Sequence, residues 1–289
     1  MNGNNTGLND QQFRALVHLL DDEDPEVSRH VWSQLTDMGA DAVSRLEAEW
    51  ERLEDPAMQK AVEDAIHRLQ LMEVTNDLLE WRKGGGKDLL QGWFLLSRFQ
   101  FPDLELRRFS NEVNRLVNKT WLEMSGHMSP EEQIQVINHI LFRMEGYGPN
   151  NARPNHPHNS FLNYLVEQQQ GNVMSLSMLY LIICKQLDLP VHGVLLPGYF
   201  VLLYKDHAHE FYIDVFNGGK IFDRERLEHY LKQVHVEAKP SYFKPTSNIY
   251  IILNLLQLVS SDFGRSGRQD KVDDIQQLLE DIDIRFPGT

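Results

Sequence analysis

The chain has 289 residues, 42% hydrophobic and 24% charged, enough to bury one large core or two modest ones and too apolar for wholesale disorder. Its formal net charge of −14 argues against a general nucleic-acid binder, which needs a basic footprint to meet phosphates, and against adsorption to anionic membranes. A single cysteine, Cys184, excludes an internal disulfide framework. No apolar run approaches the roughly 18 residues of a membrane span, and MNGNNTGLND has neither the basic nor the apolar region of a signal peptide. The expectation is a soluble, cytoplasmic protein.

Residues 11–71 carry helical periodicity. Asp24-Pro25 supplies an N-cap and a first-turn proline, Val27, Val31 and Leu35 share one face, and Gly39 is placed to end the helix. Val43, Leu46, Trp50 and Leu53 form a second stripe, and Asp55-Pro56 opens a helix presenting Val62, Ile66 and Leu69. The acidic Asp-Pro turn of LLDDEDPEVSRHVWSQLTDMG and its recurrence 31 residues on resemble a pair of HEAT-type repeats. Such surfaces commonly bind proteins. Two repeats are too few to stack alone, so a cap on the following domain is the plainer expectation.

Gly84-Gly85-Gly86 reads as a loop; a phosphate loop would need Lys followed by Ser or Thr after a strand, and Lys87 is followed by Asp88. Helices are expected over 88–98 and 106–123. Ser129-Pro130-Glu131-Glu132 is a capping box opening another helix, with Ile134, Ile137, Leu141 and Met144 facing inward. The stretch 146–160, rich in proline, glycine and asparagine, predicts no regular structure. His156 and His158, and likewise His207 and His209, are spaced for metal ligation, but a loop pair needs a further convergent ligand, and no metal or other cofactor is assigned.

From Phe161 a helix runs to Gln168-Gln169-Gln170, Gly171-Asn172 breaks it, and a second helix covers Met174–Leu187. Three short β runs follow, Val191–Leu195, Tyr199–Tyr204 and Glu210–Val215, then Phe216-Asn217-Gly218-Gly219 and a strand at Lys220–Phe222. Gly171-Asn172-Val173, Ser175-Leu176-Ser177, Leu189-Pro190, Pro197-Gly198-Tyr199-Phe200 and Asp214-Val215-Phe216-Asn217-Gly218-Gly219 together resemble the signature of the SirB-type family within the transglutaminase-like, papain-type superfamily. The resemblance is specific over 159–222. It implies an α+β, mostly helical fold, with a helix packed on a small antiparallel sheet.

Active transglutaminase-like enzymes carry a cysteine at the helix N-terminus, a histidine on a strand and an aspartate that orients it. The resemblance puts those positions at Val173, Tyr199 and Asp214. Valine has no nucleophile, and tyrosine, with a pKa near 10, is a poor base at neutral pH. Cys184 lies eleven residues beyond Val173, about 16 Å down the helix, inside an apolar run. Ser175 and Ser177 sit near the helix start but have no histidine at the family's base position, and His192 is on a different strand. Asn172, Ser175, Tyr199, Asp214 and Asn217 are expected to cluster where the active site would be. They would either form a pocket or knit helix to sheet.

Asp223 opens a helix through Val234, 235–247 is irregular, and Ile249–Val259 and Val272–Ile284 are helices joined flexibly at Gly264–Arg268. The division expected is 1–75 HEAT-like, 76–240 transglutaminase-like and 241–289 a helical extension. The expected function is a non-catalytic binding, scaffolding or regulatory module with a protein or peptide partner. A papain-like hydrolase or transferase using other residues is the alternative.

Overall fold

The computed structural model describes residues 8–282. The chain divides into two compact units, 1–76 and 77–289. The first contains α1 (Asp10–Val17), α2 (Pro25–Met38), α3 (Ala40–Trp50) and the start of α4 (Pro56–Lys83). Asp24 caps α2 by accepting from the Glu26 amide, and Gly39 takes φ 59 between α2 and α3. Asp55 likewise accepts from Ala57 N at the start of α4. Val31, Leu35, Leu46, Val62 and Leu69 form the core with Phe13, while Trp50 is 37% exposed, its indole donating to Glu63.

The second unit continues with α5 (Leu89–Arg98), α6 (Leu106–Glu123), α7 (Pro130–Asn138), α8 (Leu162–Gln168) and α9 (Val173–Gln186). The helix α9 is apolar on all sides because it is enclosed: α5, α6 and α8 pack around it, and two strands of the sheet pack against it.

The capping box at Ser129 forms as expected. Met144, however, is 51% exposed, against the expectation that it faces inward. The helix widens to a π-helix over His139–Met144. The wider turn shifts the phase of the apolar stripe, so Ile140 and Leu141 are buried and Met144 is turned out.

The stretch 146–160 is also more ordered than its composition suggests. Gly148–Pro149 (β1) pairs in parallel with Gln170–Gly171 (β2), and Pro157–Ser160 forms a 3₁₀ turn. The reason is local satisfaction of polar groups. Asn150 Nδ2 donates to Asn159 Oδ1 at 2.9 Å, and Asn159 Nδ2 donates to the Arg153 carbonyl at 2.7 Å. Trp93 of α5 adds an indole bond to the Ser160 carbonyl at 2.8 Å.

The sheet is a four-stranded antiparallel meander of β3 (Val191–Leu196), β4 (Tyr199–Lys205), β5 (Glu210–Asp214) and β6 (Lys220–Phe222). Its register pairs Leu196 with Tyr199 across a two-residue turn, where Pro197 fixes the first corner and Gly198 takes φ 71. Strand alternation gives the sheet two buried sides. Val194, Val201, Leu203 and Tyr212 cluster with Leu227 and Leu231 of α10 (Arg224–Gln233). Phe200, Leu202 and Ile213 have the opposite parity and are buried on the side of α9.

The C-terminal helices α11 (Asn248–Arg265) and α12 (Gln269–Asp281) belong to this same unit, since α11 packs on α5 and on the 157–160 turn. Thr246 also covers the outer edge of β3, its amide donating to Gly193 O and its hydroxyl accepting from Leu195 N. The joint expected at Gly264–Arg268 is shorter: α11 runs through Arg265 and the turn is Ser266–Arg268. Residues 283 and 284, expected in the last helix, lie outside the described residues.

Candidate functional site

The motif Asp214-Val215-Phe216-Asn217-Gly218-Gly219 builds a compact corner. Asp214 ends β5 and caps the 3₁₀ turn Val215–Asn217, its Oδ1 accepting from Asn217 N at 3.2 Å. Gly218 and Gly219 then reverse the chain with φ 75 and 72, which admits β6 beside β5. Gly219 must also lack a side chain: an added Cβ would lie 1.8 Å from Asn138 Oδ1 of α7. Asn138 holds the corner by donating to the Gly219 carbonyl at 2.8 Å, and its Oδ1 accepts from the Tyr180 hydroxyl of α9 at 3.0 Å.

Tyr199, at the start of β4, reaches across to this corner. Its hydroxyl donates to Asp214 Oδ1 at 2.8 Å, and Asn217 Nδ2 donates to Asp214 Oδ2 at 2.8 Å and to the Tyr199 oxygen at 3.3 Å. Burial first, and then the neighbouring Asp214 carboxylate, push the Tyr199 phenol above its ordinary value of 10. It therefore keeps its proton and acts as a donor. The three residues line a cavity of about 400 Å³ between the sheet and α10. Leu196, Val201 and Leu227 supply apolar wall, and Arg226, His229 and Gln233 project from α10.

Asn172 and Ser175, expected with this cluster, do not line the cavity. They are buried and occupied with each other. Asn172 Oδ1 accepts from Ser175 N at 2.9 Å, and Ser175 Oγ accepts from Asn172 N at 3.0 Å, a reciprocal capping box at the start of α9. Asn172 Nδ2 then donates to Ser160 Oγ at 2.7 Å, tying α9 to the 157–160 turn. Gly171 is needed beside them, because a Cβ there would sit 2.3 Å from Ser175 Oγ.

Val173 is the first residue of α9 and is also absent from the cavity lining. Cys184 is fully buried, and burial pushes its thiol well above the ordinary value, which suppresses the thiolate. Ser177 is buried, with its hydroxyl unpartnered. His192 lines no part of the cavity. His156 and His158 pack edge to face on one another, His156 stacks on Tyr164 and His158 meets Tyr164 edge on, and His209 pairs with Asp206 at 3.2 Å. Among the described residues, no three His, Cys, Asp or Glu side chains are grouped to hold a metal ion.

The α10 residues were missing from the sequence-derived site. Arg226, His229 with Tyr230, and Gln233 follow the i, i+3/i+4, i+7 spacing of one helix face, a signal readable only once the face opposite α10 is known.

A family model described as the transglutaminase-like superfamily matches residues 107–257, just over half of the chain. The chain belongs to the transglutaminase-like superfamily. It is 25% identical over 190 residues to a UPF0162 protein of Xylella fastidiosa (strain 9a5c), covering 63% of this chain and 67% of that one. Protein SirB1 of Salmonella typhimurium is 27% identical over 145 residues, 50% of this chain and 54% of SirB1, which supports the SirB-type assignment. F-box only protein 21 of Mus musculus is 27% identical over 173 residues, 55% of this chain and 26% of that protein. The chain thus spans about half of SirB1 and a quarter of the F-box protein. No solved structure matches it. Among the described residues, no helix is long and apolar enough to cross a membrane.

Proposed function

We propose that this protein is a non-catalytic member of the superfamily, a cytoplasmic binding, scaffolding or regulatory module for a protein or peptide. Its binding site is the cavity between the sheet and α10. The observation that carries this reading is the state of Tyr199 at the family's base position. Its hydroxyl is committed to Asp214 at 2.8 Å, and its surroundings hold the proton on. A general base must instead give up its proton near neutral pH. Val173 at the nucleophile position offers no attacking atom, and Ser175 is engaged in a helix cap. What the corner retains is shape and donor–acceptor chemistry, which serve binding.

Intact-mass analysis tests this after native incubation with a fluorophosphonate and, separately, with iodoacetamide. The unmodified mass is expected in both, with Cys184 alkylated only after denaturation. A stoichiometric adduct on a residue at the start of α9 would overturn the reading.

A further inference from the structure

The α10 wall of the cavity carries a guanidinium, that of Arg226. Arg226 lies over the Phe222 ring, 5.9 Å from its centroid, and forms no ion pair among the described residues. Arg224, two positions earlier, is paired with Glu228 at 2.9 Å. His229 and Gln233 extend the same polar line along the cavity. Asp214, which lines the same cavity, has an uneven load. Its Oδ1 accepts from Tyr199 and from Asn217 N, whereas Oδ2 accepts only from Asn217 Nδ2, which leaves acceptor capacity on Oδ2. Leu196, Val201 and Leu227 add apolar wall to the same cavity.

The geometry points to a peptide ending in a free carboxylate as the occupant, an inference that rests on the cavity being the binding site. The terminal carboxylate meets the Arg226 guanidinium, whose planar fork suits a two-oxygen anion. The amide N–H of the last residue donates to Asp214 Oδ2, and its apolar side chain covers Leu196 and Leu227. A phosphate fits less well, because it brings no N–H donor and sets a doubly charged group near Asp214. The volume of about 400 Å³ is near the small end of ligand pockets, the size for the last one or two residues of a chain and not for a folded surface.

N-acetyl-leucine and N-acetyl-leucinamide are the minimal probes, differing only in the terminal carboxylate. Each is titrated into ¹⁵N-labelled full-length protein while the Tyr199 and Asn217 amides and the Arg226 Nε signal are followed. The acid is expected to bind at least about tenfold more tightly than the amide, the worth of one charged hydrogen-bonded contact. Arg226→Gln, a change at an exposed side chain, should abolish that preference and leave the rest of the spectrum unchanged. Equal binding of the two probes, or a preference that survives Arg226→Gln, would overturn the carboxylate assignment while leaving the cavity as a binding site. Absence of any shift at the cavity with either probe would overturn the assignment too, whereas the non-catalytic reading is decided separately by probe labelling.

Discussion

Gly219 is the residue on which the candidate site depends most sterically. Alanine there would combine a φ of 72 with a Cβ placed 1.8 Å from Asn138 Oδ1, so Asn138 would have to abandon its bonds to Gly219 and Tyr180. Gly219→Ala is expected to cost about 2–4 kcal/mol by urea denaturation; a loss under about 0.5 kcal/mol, typical of surface changes, would contradict the geometry. Tyr199→Phe removes only the hydroxyl from Asp214 and should cost about 1 kcal/mol. Asp262 gives a pH signature. It is 2% exposed in the last turn of α11 and pairs with Arg265 at 3.1 Å, yet burial outweighs the pairing and lifts its carboxyl to about 6. The folded chain therefore holds this proton more tightly than the unfolded chain, whose value is near 3.8. The stability this proton contributes is full below the unfolded value and is lost as pH rises through about 6. Thermal melts should show Asp262→Asn gaining on the wild type as pH rises from about 4 to about 7; a constant difference would refute the shift.

At the level of elements, the capping box of α9 is structural in this geometry, and that separates it from the cavity. Asn172→Ala loses the bonds to Ser175 N and Ser160 Oγ and should destabilise the fold by about 1–3 kcal/mol. It should leave N-acetyl-leucine affinity unchanged, as the same titration would show. Much of this element structure is legible in the sequence because the signals are local. Asp24-Pro25 and Ser129-Pro130 open helices, Pro197-Gly198 turns a hairpin, and alternation from Val191 to Asp214 sets the strands. The departures arise where local pattern meets tertiary demand. The π-helix at His139–Met144 turns Met144 outward, a phase change invisible to a 3.6-residue template. The order in 146–160 comes from Asn150 and Asn159 finding partners that are loop residues themselves. Asn172 and Ser175 left the expected pocket for the same kind of reason: at N-cap and N3 they satisfy each other first.

Across the whole molecule, charge is distributed unevenly. Residues 1–76 hold sixteen acidic against six basic side chains, a net −10 of the chain's −14. Like charges at this density repel within the helical unit, and salt screens them over about 10 Å at 0.1 M. Raising salt from about 20 to about 300 mM should therefore slow amide hydrogen exchange more in α2 and α3 than in α9; equal slowing in both would contradict this. The family was legible from motifs that include Tyr199, Asp214 and Asn217, but the full cavity was not, because five of its eleven lining residues come from α10, whose place across the sheet no spacing encodes. A non-catalytic binding role requires Tyr199 to be a fixed donor and not a base. Its most direct test is a ¹³C NMR titration of the tyrosine Cζ signals, with the Tyr199 resonance assigned by comparison with Tyr199→Phe. Tyr199 is expected to stay protonated through pH 10, where an ordinary tyrosine is half ionised. Ionisation of Tyr199 at neutral pH would contradict it.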